Sequence, residues 1–150
     1  MSIFDAAFRH MANCWDRLQS MLPGQQSRIG APVDCELPVT IDEVHLKELA
    51  EAVGREGIAA SVRAFARDLN VTADKMRTQL AAGDASGVRQ SAHRMKGLLS
   101  QFGASELAQL AAKLEATAAD DMCAASARLL NCVPMVIKAV QWATRPASVA

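Results

Sequence analysis

Apolar residues recur along most of this chain at intervals of three and four, the spacing that gathers them on one side of an α-helix. Phe4, Phe8, Met11, Trp15, Leu18 and Leu22 form the first such stripe, which stops at Pro23-Gly24 and predicts an amphipathic helix over 1–22. From 23 to 40 the period vanishes and Pro23, Pro32 and Pro38 interrupt the chain, so this stretch is expected to be a linker. Thr40 or Asp42 can then cap a short helix that turns Leu46, Leu49, Ala50 and Val53 inward and is closed by Gly54.

A longer helix is predicted from about Arg55 to Ala82, its inward positions being Ile58, Val62, Phe65, Leu69, Met76 and Leu80, with Thr72 or Ala73 filling the gap. Gly83-Asp84 stops it and starts another, which runs from Asp84 or Ser86 to Phe102 and breaks at Gly103. Leu107, Leu110, Ala111 and Leu114 mark the next. Asp120-Asp121 can cap a last helix with Ala125, Leu129, Cys132 or Val133, Val136, Ile137 and Val140 inside and a bend at Pro134. Helices of this length with short connections pack antiparallel. The expected fold is therefore all-α: an antiparallel four-helix bundle over 41–143, an additional short helix before it, the N-terminal amphipathic helix, and a frayed tail over 144–150.

Composition agrees with this reading. The 29 alanines favour helix, while 4% aromatics and no tyrosine leave little that favours strands. The 150 residues suffice for one core. Sixteen basic residues balance sixteen acidic ones, so the net charge gives no reason to expect nucleic acid or a membrane surface as partner. No uncharged apolar run approaches the roughly 20 residues of a membrane span, and the first residues do not resemble a signal peptide, so a cytoplasmic location without membrane insertion is expected. The cysteines, Cys14, Cys35, Cys123 and Cys132, include no Cys-x-x-Cys pair and are expected to be reduced. His10 and His45 form no paired-ligand motif, which leaves a metal or haem bundle short of ligands.

Candidate chemistry is concentrated in Ser91-Ala92-His93-Arg94-Met95-Lys96-Gly97-Leu98-Leu99-Ser100. At about 100° per residue, with His93 at zero, Val88, Met95, Leu98, Leu99 and Phe102 fall between roughly 140° and 240°. His93 therefore stands opposite the apolar face, in a polar stripe with Arg89, Gln90, Lys96, Gly97 and Ser100. Lys96, one turn along, places a cation beside any anion His93 carries, and Arg89, one turn back, is positioned to assist. Gly97 costs the helix about 0.8–1.0 kcal/mol relative to alanine, and on an exposed face it gives another backbone room to approach. A neutral imidazole with one free nitrogen is a nucleophile toward phosphorus. No nucleotide-binding glycine loop accompanies it, so the phosphoryl donor must be another protein.

Ala92-His93, Lys96-Gly97, Gly103, Leu107, Leu110 and Leu114-Glu115, with the preceding Leu80-Ala81-Ala82-Gly83-Asp84 turn, resemble the histidine-containing phosphotransfer (HPt) domain of bacterial two-component phosphorelays. The resemblance spans about residues 40 to 140. It implies that His93 accepts a phosphoryl group from a receiver-domain aspartate of a hybrid sensor kinase and relays it to the receiver domain of a response regulator. Lys96 would then neutralise the phosphate, and Gly97 would give the receiver's loops clearance, with Arg89, Gln90 and Ser100 alongside in the docking face. The chain would be a free-standing carrier without turnover of its own and without its own cofactor, Mg²⁺ being expected on the receiver. The family commonly has small residues after the glycine; here Leu98 and Leu99 follow, and the wheel turns both toward the core. The competing reading is a helical adaptor or inhibitor that binds a receiver or kinase domain and is never phosphorylated.

Overall fold

A computed structural model describes residues 39–146; the helix expected over 1–22, the linker up to residue 38 and the last four residues of the tail lie outside it. The described residues form α1 (Glu43–Ala81), α2 (Ala85–Gln101), α3 (Ser105–Glu115) and α4 (Met122–Thr144), with no strand among them. Asp42 caps α1 by accepting the His45 amide at 3.1 Å, and Asp84 caps α2 by accepting the Gly87 amide at 2.8 Å. Asp121, which sequence alone offers as a cap for α4, makes no side-chain cap bond. Its φ of −97° and ψ of −7° are helical, not the extended conformation that aims a capping side chain at the first amides. Pro134 removes one donor inside α4 without ending the helix.

Gly54 breaks α1 with φ 77° and ψ 171°, a conformation side chains rarely adopt. The expected short and long helices are thus both present, joined at this residue. Their relation follows from contacts at the end of α2. The Asp42 amide donates to the Gly103 carbonyl at 3.0 Å, and the Phe65 ring lies 4.3 Å from that of Phe102. In a straight helix Asp42 and Phe65 would be about 35 Å apart. Here they flank one turn, so 43–53 and 55–65 run out and back beside each other. His45 secures the return: its Nε2 donates to the Gln101 carbonyl at 2.8 Å, using an acceptor that the end of α2 leaves without a helical partner. Gly103, with φ 77°, completes the turn, and a side chain there would meet Asp42 at 3.1–3.3 Å.

Leu46, Ile58, Val62, Phe65, Leu69, Met76, Leu80, Val88, Met95, Leu99, Phe102, Leu107, Leu114, Leu129, Val133, Val136 and Val140 are buried in one continuous core, as the periodicity predicts. Both Thr72 and Ala73 are buried, and so are both Cys132 and Val133. Val53 is an exception at 44% exposure, because it ends the short segment where the chain turns back and no helix covers it. By length and composition alone α4 is long and apolar enough to cross a membrane, but half of its most apolar stretch is buried inside the bundle. It serves here as the fourth core helix, packed against α1 and α3. The expected reduced state of the cysteines is overturned on α4: Cys123 and Cys132 are disulfide-bonded. The absence of a Cys-x-x-Cys pair did not announce this, because such spacing reports only cysteines close together in sequence.

Candidate functional site

The α2 helix points one side at α1 and α3 and the other at solvent, following directly from its apolar spacing. Val88, Met95 and Leu99 are buried with Ala92, and Ser91 on the flank donates to Gln79 of α1 at 2.6 Å. Leu98 is partly buried against the core and Leu99 is fully buried, so the two leucines after Gly97 do turn inward. Opposite them the His93 side chain is 73% exposed.

One residue not singled out for chemistry by sequence completes the site. Glu115, the last residue of α3, places Oε1 2.6 Å from His93 Nδ1 and Oε2 3.1 Å from Lys96 Nζ. A single carboxylate therefore spans both basic groups. Burial against the α2–α3 seam raises the Glu115 pKa, but hydrogen bonds from Lys96 and His93, with their charges, outweigh it and hold the carboxyl below its ordinary 4.5. An ionised carboxylate only accepts, so the hydrogen at this contact belongs to Nδ1. The other ring nitrogen, Nε2, keeps its lone pair directed away from Glu115 when the ring is neutral.

The sequence pattern quoted Leu114-Glu115 only as a helix ending. A signal was available: Glu115 lies about 80° from Leu107 on the helical wheel, at the edge of the apolar face and so beside a neighbouring helix. Which partner it meets depends on the register of α3 against α2, which no local pattern contains.

The remaining expected residues divide. Gly97 is exposed, and a Cβ built there would meet nothing within 4 Å. Gln90 and Ser100 are exposed on the same stripe. Arg89 does not point at His93: its guanidinium donates to the Thr117 carbonyl at 3.2 Å, just beyond α3. It ties the segment just after the helix that carries Glu115 back to α2. Among the described residues no three His, Cys, Asp or Glu side chains are grouped as a metal ion would require.

The arrangement can therefore present a basic nitrogen to an incoming electrophile, balance a positive ring through Glu115, and offer an ammonium to anionic oxygens one turn away. A protein-family model described as Hpt domain matches residues 60–141, more than half of the chain. Neither the curated proteins nor the solved structures gave a match.

Proposed function

The chain belongs to the Hpt domain family, the phosphocarrier modules of two-component phosphorelays, which exchange phosphoryl groups with receiver domains; from that premise we propose that His93 is its carrier residue. The proposal extends to direction and partners: a receiver of a hybrid sensor kinase loads His93, and a response regulator unloads it in the cytoplasm.

In the loading step the Nε2 lone pair attacks the phosphorus of an aspartyl phosphate. The N–P bond forms as the P–O bond to the aspartate breaks, and the aspartate leaves as a carboxylate. The ring gains positive charge while Nδ1 keeps its proton, and Glu115, 2.6 Å away, is placed to stabilise that charge. Lys96 already gives one donor to Glu115 and has others for the phosphoryl oxygens. The Mg²⁺ that assists at the aspartate belongs, in this reading, to the receiver. Open space over Gly97 lets the receiver's loops approach.

The observation that carries the proposal is the exposed His93 held at Nδ1 by a carboxylate that also holds Lys96. Incubation with an aspartyl-phosphorylated receiver domain should give the protein an acid-labile, alkali-stable label, and His93→Gln should abolish it. Labelling that survives the substitution overturns the site. A receiver that binds without transferring phosphate in either direction identifies the adaptor instead.

A further inference from the structure

Arg89, His93 and Lys96 lie within about 60° of one another on the wheel of α2, and all three reach the end of α3. His93 and Lys96 meet the Glu115 carboxylate at 2.6 and 3.1 Å, whereas the Arg89 guanidinium meets the Thr117 backbone carbonyl at 3.2 Å. Thr117 is not loose from the helix before it. Its amide donates to the Leu114 carbonyl at 3.2 Å and its hydroxyl to the Lys113 carbonyl at 2.7 Å, which fastens it to the turn that carries Glu115. A hydrogen-bonded path therefore runs from Arg89 through Thr117 to the last turn of α3.

Glu115 is the final residue of α3, where the backbone ladder ends and a helix frays first. A carboxylate in that position keeps its place against His93 only if other contacts hold the turn. Lys96 is one such contact, but in phosphoryl transfer its ammonium must also meet the phosphoryl oxygens. Of the three α2 side chains, Arg89 alone binds a group that takes no part in the reaction. Taking His93 as the carrier, a premise on which this step rests, we infer that Arg89 is a positioning residue for the transfer. By tying Thr117 to α2 it holds the Glu115 carboxylate at His93 Nδ1, and so keeps the neutral ring in the form whose Nε2 lone pair attacks phosphorus.

The sensitivity follows from hydrogen-bond length. At 2.6 Å the carboxylate holds the hydrogen on Nδ1. As the contact lengthens past about 3.2 Å that preference is lost, and part of the protein carries the hydrogen on Nε2, where no lone pair remains for phosphorus. Arginine suits the task because its guanidinium stays charged and sets several donors in one rigid plane, while a lysine ammonium keeps the charge and a donor on a mobile stem.

The test compares the full-length wild type with Arg89→Met, Arg89→Lys, Glu115→Ala and the double variant Arg89→Met with Glu115→Ala. Long-range proton–nitrogen correlation spectra in mildly alkaline buffer read the His93 tautomer, its signals assigned by their loss in His93→Gln. Rapid-quench labelling by an aspartyl-phosphorylated receiver gives the rate per folded molecule, at a temperature where thermal melts show every variant folded. Wild type should hold the hydrogen on Nδ1. Arg89→Met should move both ring-nitrogen shifts toward those of Glu115→Ala and slow labelling by about threefold, and Arg89→Lys should recover part of both. The double variant should behave as Glu115→Ala alone, because Arg89 acts through Glu115. A wild-type tautomer in Arg89→Met overturns the inference. So does a further threefold loss in the double variant, which puts Arg89 directly on the phosphoryl group or the receiver. Wild-type protein that takes no label removes the carrier premise instead, and the tautomer of Arg89→Met still decides whether Arg89 positions Glu115.

Discussion

Two histidines of this bundle each reach an oxygen on another helix, His45 at 2.8 Å and His93 at 2.6 Å, yet the surroundings give them opposite roles. His45 meets the Gln101 backbone carbonyl at the end of α2, where Asp42, Gly103, Phe65 and Phe102 also converge. Its hydrogen bond satisfies an acceptor the helix cannot, and it joins one part of the backbone to another. His93 meets a side-chain carboxylate shared with an ammonium, in front of a stripe that contributes nothing to the core. The bundle end is held mainly by backbone groups, so damage there is expected to appear as lost stability. The middle of α2 is built from exposed side chains, so damage there is expected to appear as lost transfer.

The largest break in this comparison is to exchange the two. His93→Gln should remove phosphoryl labelling while leaving the thermal midpoint within about 1–2 °C, since an exposed helical residue contributes little. His45→Ala should do the reverse, lowering stability by about 0.5–1.5 kcal/mol in thermal or urea unfolding, with the rate of labelling per folded molecule unchanged.

Glu115→Gln sharpens the contrast next. Glutamine keeps the size but not the charge, and transfer in a rapid-quench assay should slow by about tenfold, equivalent to roughly 1.4 kcal/mol of transition-state stabilisation. A pH series separates charge from shape. The folded-state pKa of Glu115 is lowered, so its contribution to stability is fully present above the ordinary value of 4.5 and is lost as pH falls through the lowered one. The stability difference between wild type and Glu115→Gln should therefore shrink on acidification; a difference that stays constant would show that charge is not involved.

Two glycines, one in each region, extend the comparison. Gly103→Ala forces a side chain into φ 77° and against Asp42, and should cost about 2 kcal/mol, a fall of roughly 4–8 °C in the thermal midpoint, with transfer intact. Gly97→Ala meets open space in a regular helix. It should stabilise the fold by about 0.8–1.0 kcal/mol and weaken receiver binding by titration calorimetry. A variant that gains stability and binds as before would remove the docking role from Gly97.

The helix pattern was readable from local sequence because spacing and caps are local properties. Asp42 and Asp84 precede their helices and need no distant partner, and the placement of Val88, Met95 and Leu99 opposite His93 follows from the angle per residue alone. Arg89 shows the limit. It shares the stripe with His93, but a long side chain can bend toward a carbonyl outside its own helix, and Thr117, just beyond α3, provides one.

His93, Lys96 and Gly97 on one exposed face, and the break at Gly54, were thus determined by the order of residues, through the fixed geometry of the α-helix. Only packing decided that Glu115, 22 positions further on, would bridge the two basic groups, that 43–53 would fold back beside 55–65, and that the α4 cysteines would be bonded. Periodicity specifies which side of a helix faces inward; the register between helices is set by how their side chains interlock, and that information is distributed over the whole core.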